Sequence, residues 1–288
     1  MSLTSPGSEP VVGGRSRQWV ERVGQGVLDA GRFVRNSIGQ FGGLSYLLAD
    51  AVRWTLRGLF VPKVKLGRRS VAAQMVRVGV RAIPIICLVQ VFIGVILALS
   101  MAPTLEMYGQ VDTVAVIVGI AVFRELGPLI SAIVLSGFAG ASIAAEIGSM
   151  VEAEEIKALR AHALNPIHFL VVPRYLATVL MLTGLAVIAD VMGVGGGMFT
   201  AVYVLGVDPT TYLQLTQDAL TNKDFLTGLI KAAVFGLLIA MLACYEGLNV
   251  SGGAEGVGRA TTGTVVKSIV ALIATDCIFT VIFYVYEI

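Results

Sequence analysis

The sequence predicts an all-α integral membrane protein: an N-terminal amphipathic helix lying in the interface, five transmembrane helices, and a cytoplasmic helix between the second and third. Three observations predict it. First, 56% of the 288 residues are hydrophobic and only 14% are charged, whereas a soluble domain carries about 25% charged residues. Such a chain cannot cover its apolar surface with its own polar groups, and its natural solvent is lipid. Second, five apolar runs are long enough to cross a bilayer, which takes about 20 residues. Third, residues 1–81 hold 13 Lys/Arg against 4 Asp/Glu, while the remainder holds 8 against 15. Basic residues flanking a first span mark the cytoplasmic side, so the N-terminus is expected there. A nucleic-acid-binding tail would also be basic, but apolar and aromatic residues interleave here at helical spacing, and no nucleic-acid partner is expected.

Residues 1–30 are rich in Gly, Ser and Arg and lack an apolar core, which predicts a disordered cytoplasmic tail rather than a cleavable signal. Residues 31–288 form the membrane domain. Across 31–61, Arg32, Arg35, Asp50, Arg53 and Arg57 rule out a span, yet Leu44, Leu47, Leu48, Ala51, Trp54 and Leu56 recur at roughly helical spacing, the pattern of an interfacial helix. The loop from Val61 to Arg69 is basic and can face anionic headgroups. Spans are expected at about 82–102, 113–145, 168–205, 225–248 and 265–286. Residues 103–112 and 207–224 then connect outside, and 146–166 and 249–263 inside. Arg124-Glu125-Leu126-Gly127-Pro128 breaks or tilts the second span, since proline removes a helical hydrogen bond. Gly193, Gly195, Gly196 and Gly197 serve close helix packing or a hinge; packing is the simpler reading. No strand precedes them, which excludes a dinucleotide loop. Cys87, Cys244 and Cys277 lie in apolar runs as small hydrophobes, with no disulfide or metal spacing.

Charge inside an apolar run is costly and faces a cavity or a partner. Arg124 and Glu125 sit about twelve residues into the second span, on the order of 18 Å deep. Neighbours on a helix point about 100° apart, so each needs a partner elsewhere. Asp190 and Asp276 are expected as helix–helix anchors rather than ion sites. Residues 146–166 form either a solvated surface helix or a docking helix for a soluble partner, and composition does not decide between them. His162 and His168 lack metal-ligand spacing. The sequence contains no GxSxG, HExxH, Walker lysine loop or CxxC, so the chain is not expected to be an enzyme.

Several segments resemble the MlaE/YrbE permease family. They are Val91-Phe92-Ile93-Gly94, Phe123-Arg124-Glu125-Leu126-Gly127-Pro128, Ala144-Ala145-Glu146-Ile147-Gly148-Ser149-Met150, Asn165-Pro166 with Val172-Pro173-Arg174, and Gly258-Arg259-Ala260-Thr261-Thr262. The likeness covers about 40–288 in the same order. It implies a homodimeric permease of an ABC transporter in the bacterial inner membrane. Such a permease moves phospholipids or related lipids between that membrane and a periplasmic MCE protein. It has no cofactor of its own, because ATP is bound by a separate cytoplasmic ATPase. The resemblance also implies a lipid pocket at the dimer interface near the outer leaflet, with Leu97, Leu105, Tyr108, Arg124 and Glu125 in or beside it. Arg259 matches a family arginine near the start of the last span. The coupling helix corresponds to 146–166, with Glu146, Met150, Glu152, Glu154, Glu155, Ile156 and Leu159 expected to meet the ATPase. The chain departs from the family's G-R-A-G in Gly137-Phe138-Ala139-Gly140, and from its Thr-Glu-Gln in Ala153-Glu154-Glu155. Two other readings remain open: an ion-coupled carrier using Glu125, Asp190 and Asp276, and a scaffold that only anchors its partners.

Overall fold

The computed structural model describes residues 39–40, 42–58 and 68–286. The expected tail at 1–30 and nearly all of the basic loop at 61–69 lie outside them. Leu47–Ile288 is one compact unit and Met1–Tyr46 another; in the latter, residues 39–40 and 42–46 are helical. No strand occurs among the described residues. In lipid a backbone polar group has no water to bond, so helices that satisfy themselves are the available solution.

Helix α1 covers 42–58. Leu47 and Ala51 are buried while Val52 and Leu56 are exposed, so the amphipathic periodicity corresponds to one packed face. On that face the Thr55 and Tyr175 hydroxyls share a hydrogen bond, and the Trp54 ring lies 5.1 Å from that of His168. Helix α2 (Arg68–Val78) leads through a tight turn at Val80–Ala82 into α3 (Ile83–Met107).

Among the described residues five helical regions are long and apolar enough to cross a membrane: Arg69–Met107, Val111–Glu152, Ile167–Tyr203, Asn222–Leu248 and Gly253–Val285; each starts ahead of its expected limit, and the first two also run past it. The first corrects the expected connection at 103–112: Pro103 lies inside α3, which continues to Met107. The missing N–H of Pro103 leaves the Leu99 carbonyl without its helical donor, a loss of one bond close to the end of α3.

The second region is not broken at Arg124–Pro128. It runs as α4 (Val114–Ala121), a π-turn (Val122–Leu126), α5 (Gly127–Leu135), a second π-turn (Ser136–Gly140) and α6 (Ala141–Glu152). The extra residue of the first π-turn accommodates Pro128 in the first turn of α5, so the helix bulges instead of stopping. Buried Gln90 of α3 donates its Nε2 to the carbonyls of Leu126 at 3.1 Å and Gly127 at 3.3 Å. A third π-turn (Ile167–Val171) precedes Pro173 at the start of α8 (Val172–Tyr203) in the same way.

Three connections also differ from expectation. Because α6 continues to Glu152, Glu146 and Met150 belong to a membrane-crossing helix; the separate helix is α7 (Glu155–Ala161), set off by Glu154 at φ 60°. The connection at 207–224 contains α9 (Pro209–Ala219), capped by the Asp208 carboxylate, which accepts from the backbone N–H of Thr210 and Thr211. α10 (Asn222–Leu248) is followed by only a short turn, and α11 (Gly253–Val285) already includes Arg259. The Gly-rich composition of 249–263 argues against helix. Contacts override it: Val257 packs where a Cβ on Gly148 would sit, and Thr264 packs beside Gly140.

α8 is central, packed mainly on α3 and α10. Its glycines lie in a continuous helix, and their role is close approach. A Cβ on Gly94 would lie 1.9 Å from the Gly193 carbonyl oxygen, and one on Gly196 would lie 2.3 Å from that of Val91. Small residues let helices pack where lipid supplies no hydrophobic drive between them. α11 is peripheral: 11% of its most apolar stretch is buried, against 50% for α10.

Candidate functional site

The charges that the sequence places deep in the second region do not pair with each other. The π-turn turns Arg124 and Glu125 towards α10 and α11. Arg124 Nε donates to Asp224 Oδ1. Asp224 also closes the capping box of α10, its Oδ2 accepting from the backbone N–H and the hydroxyl of Thr221, both at 2.8 Å. Glu125 meets Lys231: Nζ lies 2.5 Å from Glu125 Oε2 and 2.9 Å from Asp276 Oδ1. Thr280 joins them, accepting from Lys231 at 3.4 Å and donating to Glu125 Oε1 at 3.1 Å.

Lys231 is 1% exposed. An ammonium buried this deeply is tolerated only when paired and hydrogen-bonded, and two carboxylates and a hydroxyl surround it. Its ammonium also stands 5.8 Å from the Phe283 ring centroid. A cavity of about 150 Å³ opens on the group, lined by Arg124, Glu125, Thr227, Lys231, Thr280, Phe283 and Tyr284. The Arg124 side chain is 45% exposed. With Nε taken by Asp224, its terminal N–H donors remain to meet an anion, and a guanidinium suits a phosphate or carboxylate.

The structure brings together only some of the expected site residues. Leu97 and Leu105 pack instead on the cluster of Ala98, Val114, Val118 and Val122, and Tyr108 caps α3, mostly exposed. None of the three lines the cavity. Arg259 pairs with Glu255 at 3.3 Å. It lies 21 residues before Thr280 on α11, about 31 Å along the axis, so within one chain it cannot reach Arg124. Asp276 is a partner of Lys231. Asp190, 2% exposed, stands elsewhere against Gly127, where a Cβ would lie 1.8 Å from its Oδ1. Glu125, Asp190 and Asp276 therefore do not form a single ion-binding group. Sequence reasoning missed Lys231 and Asp224. The available signal was one lysine, Ile230-Lys231-Ala232, in an otherwise apolar run.

Near the other end of the spans, Glu146 is held at 2.8 Å by Arg77 and at 3.2 Å by Arg174. This joins three spans and ties the carboxylate to two arginines. Glu152, Glu154 and Glu155 are exposed, with Glu154 bound to Lys157 at 2.6 Å. Ile156 is buried, and Met150 and Leu159 are half-buried. The surface offered around α7 carries Glu152 and Glu155 beside the exposed Lys157 and Arg160. Among the described residues no group of three or more His, Cys, Asp or Glu could hold a metal ion.

Comparison with known proteins adds relatives. The family described as "Permease MlaE" matches residues 71–282. A probable ABC transporter permease protein of Rickettsia prowazekii is 36% identical over 211 residues, 73% of this chain and 82% of that protein. An intermembrane phospholipid transport system permease protein MlaE of Haemophilus influenzae is 30% identical over 224 residues, 77% of this chain and 86% of that one. The chloroplastic protein TRIGALACTOSYLDIACYLGLYCEROL 1 of Arabidopsis thaliana is 29% identical over 243 residues, 81% of this chain and 69% of that one.

Proposed function

The chain belongs to the MlaE permease family, and from that premise we propose that it moves phospholipid between a bacterial inner membrane and a periplasmic MCE protein, with ATP hydrolysed by a separate cytoplasmic ATPase. The Haemophilus relative is named for intermembrane phospholipid transport, which supports the substrate class. The observation that carries the reading is the Arg124–Asp224 and Glu125–Lys231–Asp276 group beside a cavity inside an apolar bundle.

A lipid phosphate would engage the free face of Arg124, and Lys231 would hold the cavity wall through Glu125 and Asp276. The chain works as a homodimer in this reading, its apolar exposed face on α11 supplying contact area. The basic N-terminal third sets it in the cytoplasm, which turns α7 towards the ATPase and the Arg124 group towards the outer half of the membrane. Nucleotide binding shifts the dimer between states only so far as they bind lipid differently.

The test is purification from the native host in mild detergent with mass spectrometry of what accompanies the chain. Reconstitution and transfer of labelled phospholipid follow. Co-purification of an ATPase and an MCE protein, with transfer that needs ATP and falls at least tenfold in Arg124→Ala, is the expected result. Transfer driven by a pH gradient without any ATPase would overturn the reading in favour of an ion-coupled carrier.

A further inference from the structure

A second cavity, of about 190 Å³, lies between α2 and the segment joining α5 to α6. Gln74, Arg77 and Arg81 line one side, and Phe138, Ser142 and Glu146 the other. Its charge is positive. Glu146 is shared by Arg77 and Arg174, and Arg81 has no ion pair among the described residues. Gln74 Oε1 is buried there without a donor, and a buried acceptor left unmade costs about 1–3 kcal/mol. The cavity therefore offers a cationic side for an anion and one open acceptor for a hydrogen-bond donor carried by the same ligand.

Its place in the membrane narrows the ligand. Glu125 lines the first cavity and Glu146 the second, 21 residues apart on one helical region. At 1.5 Å per residue that is about 31 Å, more than the roughly 15 Å of one leaflet. Arg81 stands just before the apolar run of the first span, at headgroup level. Ile85, Leu88 and Phe92 follow it by four, seven and eleven residues on one face of α3, exposed by 47, 56 and 55%. A phosphate held at Arg81 would leave acyl chains to descend along that stripe.

We propose that this cavity binds the headgroup of a second phospholipid, in the leaflet opposite the Arg124 group. Arg81 and Arg77 take the phosphate, and Gln74 Oε1 accepts from a headgroup ammonium or hydroxyl, as in phosphatidylethanolamine or phosphatidylglycerol. The site needs only the membrane placement, so it stands whether or not the Arg124 cavity is the transport site.

Native mass spectrometry of the delipidated full chain, titrated separately with phosphatidylethanolamine, phosphatidic acid and inorganic phosphate, tests this. Arg81→Gln is expected to weaken phosphatidylethanolamine binding at one of two sites about tenfold, the loss of one charge-assisted hydrogen bond. Arg81→Lys restores most of it. Gln74→Leu weakens phosphatidylethanolamine but spares phosphatidic acid, which carries no headgroup ammonium. Arg124→Gln removes only the other site, so failure of the two sites is read separately. Unchanged lipid binding in both Arg81→Gln and Gln74→Leu would overturn the proposal. So would inorganic phosphate bound at Arg81 with no lipid retained. Should Arg81→Gln fail to fold, Gln74→Leu read against the two lipids decides alone.

Discussion

Lys231 is the residue on which the buried ionic group turns. Removing it leaves Glu125 and Asp276 facing each other without a cation, and breaking a buried pair by deleting one partner costs about 3–5 kcal/mol. Lys231→Met is therefore expected to lower the midpoint of thermal unfolding in detergent by several degrees. Lys231→Met combined with Glu125→Gln and Asp276→Asn should recover much of the loss, because no uncompensated charge remains. A single variant as stable as the wild type would show that the group is solvated. The sequence makes the need for partners plain, since adjacent Arg124 and Glu125 diverge on a helix. It does not name them: Asp224 and Lys231 are 100 and 106 residues away, and helical periodicity carries no information on which helices are neighbours.

At the scale of elements, glycines separate contact from composition. Gly94 and Gly196 lie where α3 and α8 nearly touch, whereas Gly195 has no atom within 4 Å of a Cβ placed on it. Gly94→Ala must push the two helices apart and should cost about 1–3 kcal/mol. Gly195→Ala should be neutral or stabilising by up to about 1 kcal/mol, since it reduces the freedom of the unfolded chain. Thermal unfolding of the two variants side by side checks this; equal losses would mean that the glycines act through flexibility instead. The same contrast explains the missed boundaries. Apolar runs mark hydrocarbon, not helix, so helices that continue into the headgroup region through Pro103, Glu152 or Gly253 outlast the runs that reveal them.

At the scale of the whole molecule, the exposed carboxylates of Glu152 and Glu155 lie at the same end of the bundle as the Arg77–Glu146–Arg174 clasp. Under the proposed function this is where the ATPase docks. Glu152→Lys with Glu155→Lys is expected to reduce co-purification of the ATPase at least tenfold while leaving unfolding temperature within a degree or two, because exposed charges contribute little to stability. Retained ATPase with those charges reversed would move the docking surface elsewhere. Glu146→Gln should instead lower stability, since it releases two arginines that join three spans.

By itself the sequence determined the solvent, the all-helical class and the family. Lipid compels internally bonded helices, and five apolar runs joined by polar segments admit few other arrangements; the motifs from Val91 to Thr262 carry the likeness. Only the tertiary structure decided which charges meet, how the second span bulges past Pro128 without breaking, and that Leu97, Leu105, Tyr108 and Arg259 stand apart from the cavity at Arg124. The physical reason is range. Solvation and helix formation act on neighbouring residues and are written locally, whereas an ion pair or a close glycine contact depends on which distant helix packs alongside.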